Sequence, residues 1–310
     1  MHDLVSKIKK AAVESGYIDC GITDAAPFEE YAAALQKRIN EFPDSSDLYK
    51  PMFNRVDPRH SAAWVNSIIV CVHHYGKFRL PAGVGRHIGR NYLADRRTAA
   101  NPDHEIHKAF TARLKSLGLR VKRGGVPERL AGARAGVVSI GRNGFAYHRE
   151  TGSWVNIESW RVDAVLPADT PADECPCPDG CRACIDACPT KALCAPFLMH
   201  MDHCIAHLTY RAQRPIAEHL WQAMGEWIYG CDICQLVCPL NHTQWRDDQP
   251  MPWLEEVSAL LKPEALAVMD EETYRRKIFP LFWYIPEDDV ERWHANARRA
   301  CEALGRYIIL

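Results

Sequence analysis

Eight of the chain's thirteen cysteines fall into two copies of one pattern, and no other feature restricts the fold so tightly. The first copy is Cys177-Pro-Asp-Gly-Cys181-Arg-Ala-Cys184-Ile-Asp-Ala-Cys188-Pro189. The second is Cys204 followed, after a gap, by Cys231-Asp-Ile-Cys234-Gln-Leu-Val-Cys238-Pro239. Each copy ends in C-x2-C-x3-C-P, a spacing in which three thiolates from one tight loop hold three corners of a cuboidal cluster and the last cysteine reaches across to a second cluster. The pattern predicts two 4Fe–4S clusters. One is expected on Cys177, Cys181, Cys184 and Cys238, the other on Cys204, Cys231, Cys234 and Cys188. Zinc would need only paired C-x2-C units and leaves both x3-C-P endings unexplained. The first gap is C-x3-C, so Cys175 competes with Cys177 for the first corner, and Gly180 would let the longer loop fold back.

The remaining cysteines, Cys20, Cys71, Cys175, Cys194 and Cys301, read as free thiols and suit a reducing, cytoplasmic setting. No run of about 18 apolar residues offers a membrane span, and the start of the chain has no secretory hydrophobic region. With 38 basic and 39 acidic residues the net charge is −1, which gives no whole-chain footprint for nucleic acid. At 310 residues, 47% of them hydrophobic, the chain has material for two domains.

Apolar periodicity predicts helices near residues 2–16, 27–39, 104–117, 128–135, 216–227 and 291–304. Short strands are expected at 17–22, 67–72 and 119–122, followed by a hairpin pairing 144–148 with 153–157 and a further strand over 160–166. Prolines 167, 171, 176 and 178 mark a composition shift. The expected class is α+β, with an α/β cofactor domain over 1–170, a two-cluster ferredoxin-like domain over 171–245 and a C-terminal helical segment over 246–310. Gly83-Val-Gly85-Arg-His-Ile-Gly89 has one residue too many for a dinucleotide fingerprint and lacks a strand–turn–helix setting. His200, His203 and His207 read as ordinary polar residues, because cysteines already supply enough ligands.

Several segments together resemble the epoxyqueuosine reductases and the related corrinoid-dependent reductive dehalogenases. They are the run Cys181–Ala192, Asp202-His-Cys204, Ile228–Pro239, Asn54–Pro58, and Glu128-Arg-Leu-Ala-Gly-Ala-Arg-Ala-Gly136 leading to Ile140-Gly-Arg-Asn-Gly144. The resemblance implies a nitroreductase-like first domain holding a cobalamin, with Arg134, Gly136, Gly141, Arg142, Asn143 and Gly144 as its contacts. It also implies electrons from a ferredoxin or flavodoxin donor, passed through both clusters to cobalt for reduction of an epoxide or carbon–halogen bond in a small-molecule substrate. An electron-transfer or reductive-activation protein without its own organic substrate is the other class of reading.

The sequence departs from this family at the proton donor. Its Asp-x-x-Pro segment is replaced by Lys122-Arg-Gly-Gly-Val126, with Lys122 at the aspartate's place. Lys122 and Tyr147 are therefore the candidate catalytic residues. The neutral charge and an end at Leu310, without the helical-repeat extension that many members carry, argue against tRNA as substrate.

Overall fold

In the computed structural model, which describes residues 2–172 and 175–305, a four-stranded antiparallel sheet carries the first half of the chain. Its strands are β1 (Asp19–Asp24), β2 (Ser67–His74), β3 (Val121–Arg123) and β6 (Val155–Val162), in the order β1-β2-β6-β3. Between β3 and β6, a two-stranded ribbon joins β4 (Ser139–Ile140) to β5 (Ala146–Tyr147). β2 reads Ser-Ile-Ile-Val-Cys-Val-His-His and is buried along its whole length, as a central strand covered on both faces must be.

The period of two along each strand divides the sheet's side chains between two helical layers. Ile69, Cys71, Trp160 and Val162 face α1 (His2–Glu14) and α3 (Ile106–Ser116), where Ile8, Ala12, Phe110 and Leu114 close one core. Ile68, Val70 and Val72 face the opposite layer, formed by Phe28 ahead of α2 (Glu29–Glu41) and by Ala131 of α4 (Glu128–Arg134). The helix and first-strand readings fall within a few residues of these elements.

The expected break between strands at 153–157 and 160–166 is absent. One strand, Val155–Val162, pairs with all of β2, from His74 opposite Val155 to Ser67 opposite Val162. Glu158, Ser159 and Arg161 interrupt the apolar pattern but are buried, because each has a polar partner inside the fold. Of the expected hairpin, only the single bridge between His148 and Gly152 remains.

The short length of β3 shapes the site. It covers β6 only from Trp160 to Val162, and Gly124, at φ +67°, then leads the chain away. The far edge of β6 from Val155 to Glu158 is thus left without a strand partner among the described residues.

The rest of the chain wraps this open edge. Helical turns at Ala183–Asp186 and Ile233–Leu236 lie within the two cysteine runs, with α5 (Ile205–Tyr210) between them. A second large core joins Tyr75, Phe78, Leu93 and Trp154 to Tyr229, Leu254, Phe282 and Trp293, so packing continues across residue 245. The last helix, α6 (Val290–Ala303), braces the insert between Cys204 and Cys231. Its buried Asn296 donates to Thr209 O at 2.8 Å and Ile228 O at 2.9 Å. No helix among the described residues is long and apolar enough to cross a membrane.

Candidate metal centres and the cavity beside them

The fold sorts the eight motif cysteines into two groups that ignore their order in the chain. Cys177, Cys181, Cys184 and Cys238 line one small pocket, together with Arg142, Asn143 and Tyr147. Cys188, Cys204, Cys231 and Cys234 line the wall of a much larger cavity of about 870 Å³. Cys175 is half-buried beside Cys177 but does not reach the small pocket.

The donor chemistry fits metal. Burial pushes the Cys177 thiol up to about 11 and raises Cys204, Cys231 and Cys234 as well, so thiolates here form readily only against a cation. All thirteen cysteines are free, and none is committed to a disulfide. Two polar groups already point at sulfur: Arg142 N donates to Cys177 Sγ at 3.3 Å, and Tyr147 Oη donates to Cys238 Sγ at 3.2 Å.

The large cavity lies between the second cysteine group and the uncovered edge of β6. Val155, Asn156, Ile157 and Glu158 form one side, while Tyr75, Tyr92, Tyr210 and Tyr284 contribute aromatic surface. Gly144 lies on the wall at φ +77°, and a Cβ there would meet nothing within 4 Å, so bare backbone faces open space. Volume, aromatic lining and exposed backbone together suit a large flat ligand.

Charge is concentrated at this cavity. Arg38, Arg96, Arg97, Arg123, Arg129 and Arg211 line it against Asp95, Glu128, Glu158 and Asp232. Glu158 is held by Arg96, by Tyr17 Oη and by Arg123 at 3.0 Å. Burial alone would raise its pKa, but these partners keep it below the usual carboxylate value. Glu128 has weaker help, a hydrogen bond from Ser159 Oγ at 3.3 Å. Burial first, and then the negative charge of Glu158, push Glu128 up to about 7. Asp232, buried between Cys231 and Cys234, is pushed up by burial to about 6 and accepts from Arg90 N at 2.6 Å.

The residues singled out from sequence separate into three places. Asn143 and Gly144 line the cavity. Arg142, Asn143 and Tyr147 surround the first cysteine group, with Gly141 packed under the Tyr147 ring. Arg134 lies elsewhere, paired with Glu30 at 2.7 Å and stacked on Phe28, and Gly136 lies against Thr170. Lys122 projects from the opposite face of β3 to Arg123 and donates to Ser61 O at 2.9 Å, outside the cavity lining. His200 and His207 are paired with Asp44 and Asp202.

Sequence reasoning passed over Glu128, Glu158 and the six arginines. The Pro127-Glu128 helix start was a visible signal, whereas the gathering of arginines from five separate segments had none.

Comparison with known proteins agrees with this geometry. Residues 177–241 match the model of a 4Fe-4S double cluster binding domain. The epoxyqueuosine reductase of Leadbetterella byssophila is 31% identical over 258 residues, covering 78% of this chain and 81% of its own length. That of Xanthomonas campestris is 32% identical over 271 residues, covering 80% and 73%. In fold, the chain resembles the Bacillus subtilis epoxyqueuosine reductase structure with a TM-score of 0.75 at 22% identity, covering 98% of this chain and 84% of that one. A structure of an epoxyqueuosine reductase with an epoxyqueuosine-modified tRNA stem loop matches equally well, with a TM-score of 0.75 over 97% and 82% of the two chains. The balanced net charge of this chain conceals the arginines gathered at one cavity. With its double-cluster domain, the chain is an iron–sulfur reductase, and it belongs to the epoxyqueuosine reductase family.

Proposed function

We propose that the chain is a corrinoid-dependent reductase that opens an epoxide or a related carbon–heteroatom bond. The observation that carries this reading is the shared wall of the large cavity. The group Cys188, Cys204, Cys231 and Cys234 borders the same space as the unpaired edge of β6, Gly144 and a half-neutralised Glu128. In this reading each cysteine group holds one 4Fe–4S cluster and a corrinoid occupies the cavity. Together they supply single-electron delivery and a low-valent metal at the reacting carbon.

The chain's own residues bind, orient and protonate. Backbone of β6 and of Asn143-Gly144 would offer a corrinoid hydrogen-bonding groups and close approach. Tyr75, Tyr92 and Tyr210 line the same space and would help exclude water from it. Glu128 holds a proton at a carboxyl oxygen near neutral pH, inside the cavity, where an alkoxide leaving from carbon would need one. Lys122, committed to Ser61, is less well placed for that transfer.

A narrower reading makes the substrate epoxyqueuosine within tRNA, and the arginine-rich lining favours it. Arg38, Arg129 and Arg211 have no carboxylate partner among the described residues and face the cavity, where they would meet phosphate.

Anaerobic purification with added cobalamin tests the first reading, which expects retained cobalt near one per chain beside the iron. Protein that keeps its iron but binds no corrinoid would defeat it. Nucleoside analysis of tRNA from a reductase-deficient strain expressing this chain tests the second. Persistence of the epoxide with soluble protein present would remove tRNA as the substrate and leave the first reading standing.

A further inference from the structure

Tyr147 was a candidate proton donor from sequence, but its hydroxyl faces sulfur and lies away from the large cavity. It sits on β5 and is 5% exposed. Its Oη accepts from Asn143 Nδ2 at 2.9 Å and lies 3.2 Å from Cys238 Sγ. With the oxygen's accepting side occupied by the amide, the hydroxyl proton is directed at the thiol. The ring is fixed from beneath as well. A Cβ on Gly141 would come within 2.4 Å of Tyr147 Cε2, so the ring lies against bare backbone. The same short ribbon supplies Arg142 N to Cys177 Sγ at 3.3 Å. One hairpin therefore aims two donors at two members of the group Cys177, Cys181, Cys184 and Cys238.

We propose that Tyr147 is a positioning residue that raises the reduction potential of the cluster on Cys177, Cys181, Cys184 and Cys238 by donating a hydrogen bond to Cys238 Sγ. Reduction adds negative charge that is shared with the thiolate sulfurs, and a donor at sulfur stabilises the reduced form more than the oxidised one. The effect favours electron arrival at the group farther from the cavity. Asn143 is itself held in place by a 3.4 Å hydrogen bond from Nδ2 to Cys234 O.

The inference rests on the ligand assignment proposed above but not on a corrinoid or on any substrate. The test is an anaerobic redox titration of the full chain with reconstituted clusters, followed by electron paramagnetic resonance, comparing wild type with Tyr147→Phe. The expected result is a fall in one cluster's potential. Its reduced-to-oxidised ratio at fixed poise should drop about three- to tenfold, and tenfold is 59 mV for one electron. The other cluster should be unmoved. Unchanged potentials with full iron content, or equal shifts in both clusters, would overturn the proposal.

If Tyr147→Phe does not retain its iron, Asn143→Ala takes its place, since it keeps the ring but frees the hydroxyl. A smaller fall in the same cluster supports the proposal, and no change rejects it. Failure of the ligand assignment itself would show earlier, as wild-type iron well below about eight per chain.

Discussion

Replacing Glu128 with glutamine tests the charge logic of the cavity most directly. The carboxyl begins α4, where a helix N-terminus ordinarily favours the ionised form. Burial and the nearby Glu158 reverse that preference, against the opposing pull of Arg55, Arg123 and the Ser159 hydroxyl. A pKa raised from 4.5 to about 7 corresponds to about 3 kcal/mol, at about 1.36 kcal/mol per unit, and water in the cavity would reduce the figure. At pH 7 about half the Glu128 population would carry a proton, on the order of a hundredfold more than an ordinary glutamate would. The sign for stability follows. The folded chain binds this proton more tightly than the unfolded one, so Glu128 makes stability fall as pH rises from about 4.5 to about 7, and contributes no slope above that. Infrared difference spectra between pH 5.5 and 8.5 should show a protonated carboxyl band that titrates near 7 and is missing from Glu128→Gln. In cofactor-loaded protein the same substitution should lower turnover and flatten its decline above pH 7. A band that persists in Glu128→Gln, or the absence of any Glu128-dependent band between these pH values, would refute the reasoning.

Three further outcomes are expected. Cys238→Ala should leave about four iron ions per chain; adding Cys181→Ala should change nothing more, whereas adding Cys231→Ala should remove the rest. Gly136→Ala should lower the thermal midpoint at a cost of about 1–3 kcal/mol, because φ is +75° and the new Cβ would lie 2.3 Å from Thr170 O. Asn296→Ala should leave the carbonyls of Thr209 and Ile228 without their donor, at about 1–3 kcal/mol. It should be seen as faster loss of iron from the group Cys188, Cys204, Cys231 and Cys234 under chelation, while the other group is retained.

What could be read from the sequence was whatever depends on local spacing. The cysteine runs are local, and so are the apolar faces of α1 and α3, so both stood out. β6 was misread as two strands because Glu158 and Ser159 look solvent-facing, and only the fold supplies the Arg96, Arg123 and Glu128 that pair them inside. Lys122 was placed by register with a family motif, but register does not tell which face of a strand a side chain takes. Strand alternation sends Arg123 toward Glu158 and the cavity, and Lys122 toward Ser61. Tyr147 was a candidate because the resembling dehalogenases use a tyrosine, and a separation of 91 residues hid its contact with Cys238.

The two cysteine groups also differ in a way that neither motif announces. Both runs have the same ending, so the sequence alone gives no direction for electron flow. The fold breaks that symmetry. One group closes on a small pocket lined by Arg142, Asn143 and Tyr147, and the other forms part of the wall of the arginine-rich cavity. Cys188 and Cys234 pack against the apolar cluster that contains Cys184, so the two groups adjoin. On the proposed reading, an electron entering at the first group would pass through the second to reach a carbon centre in the cavity, because the second group lines that cavity. The order of transfer would then follow from which group the short β3 and the open edge of β6 leave facing the cavity, since the ending of the two runs is the same.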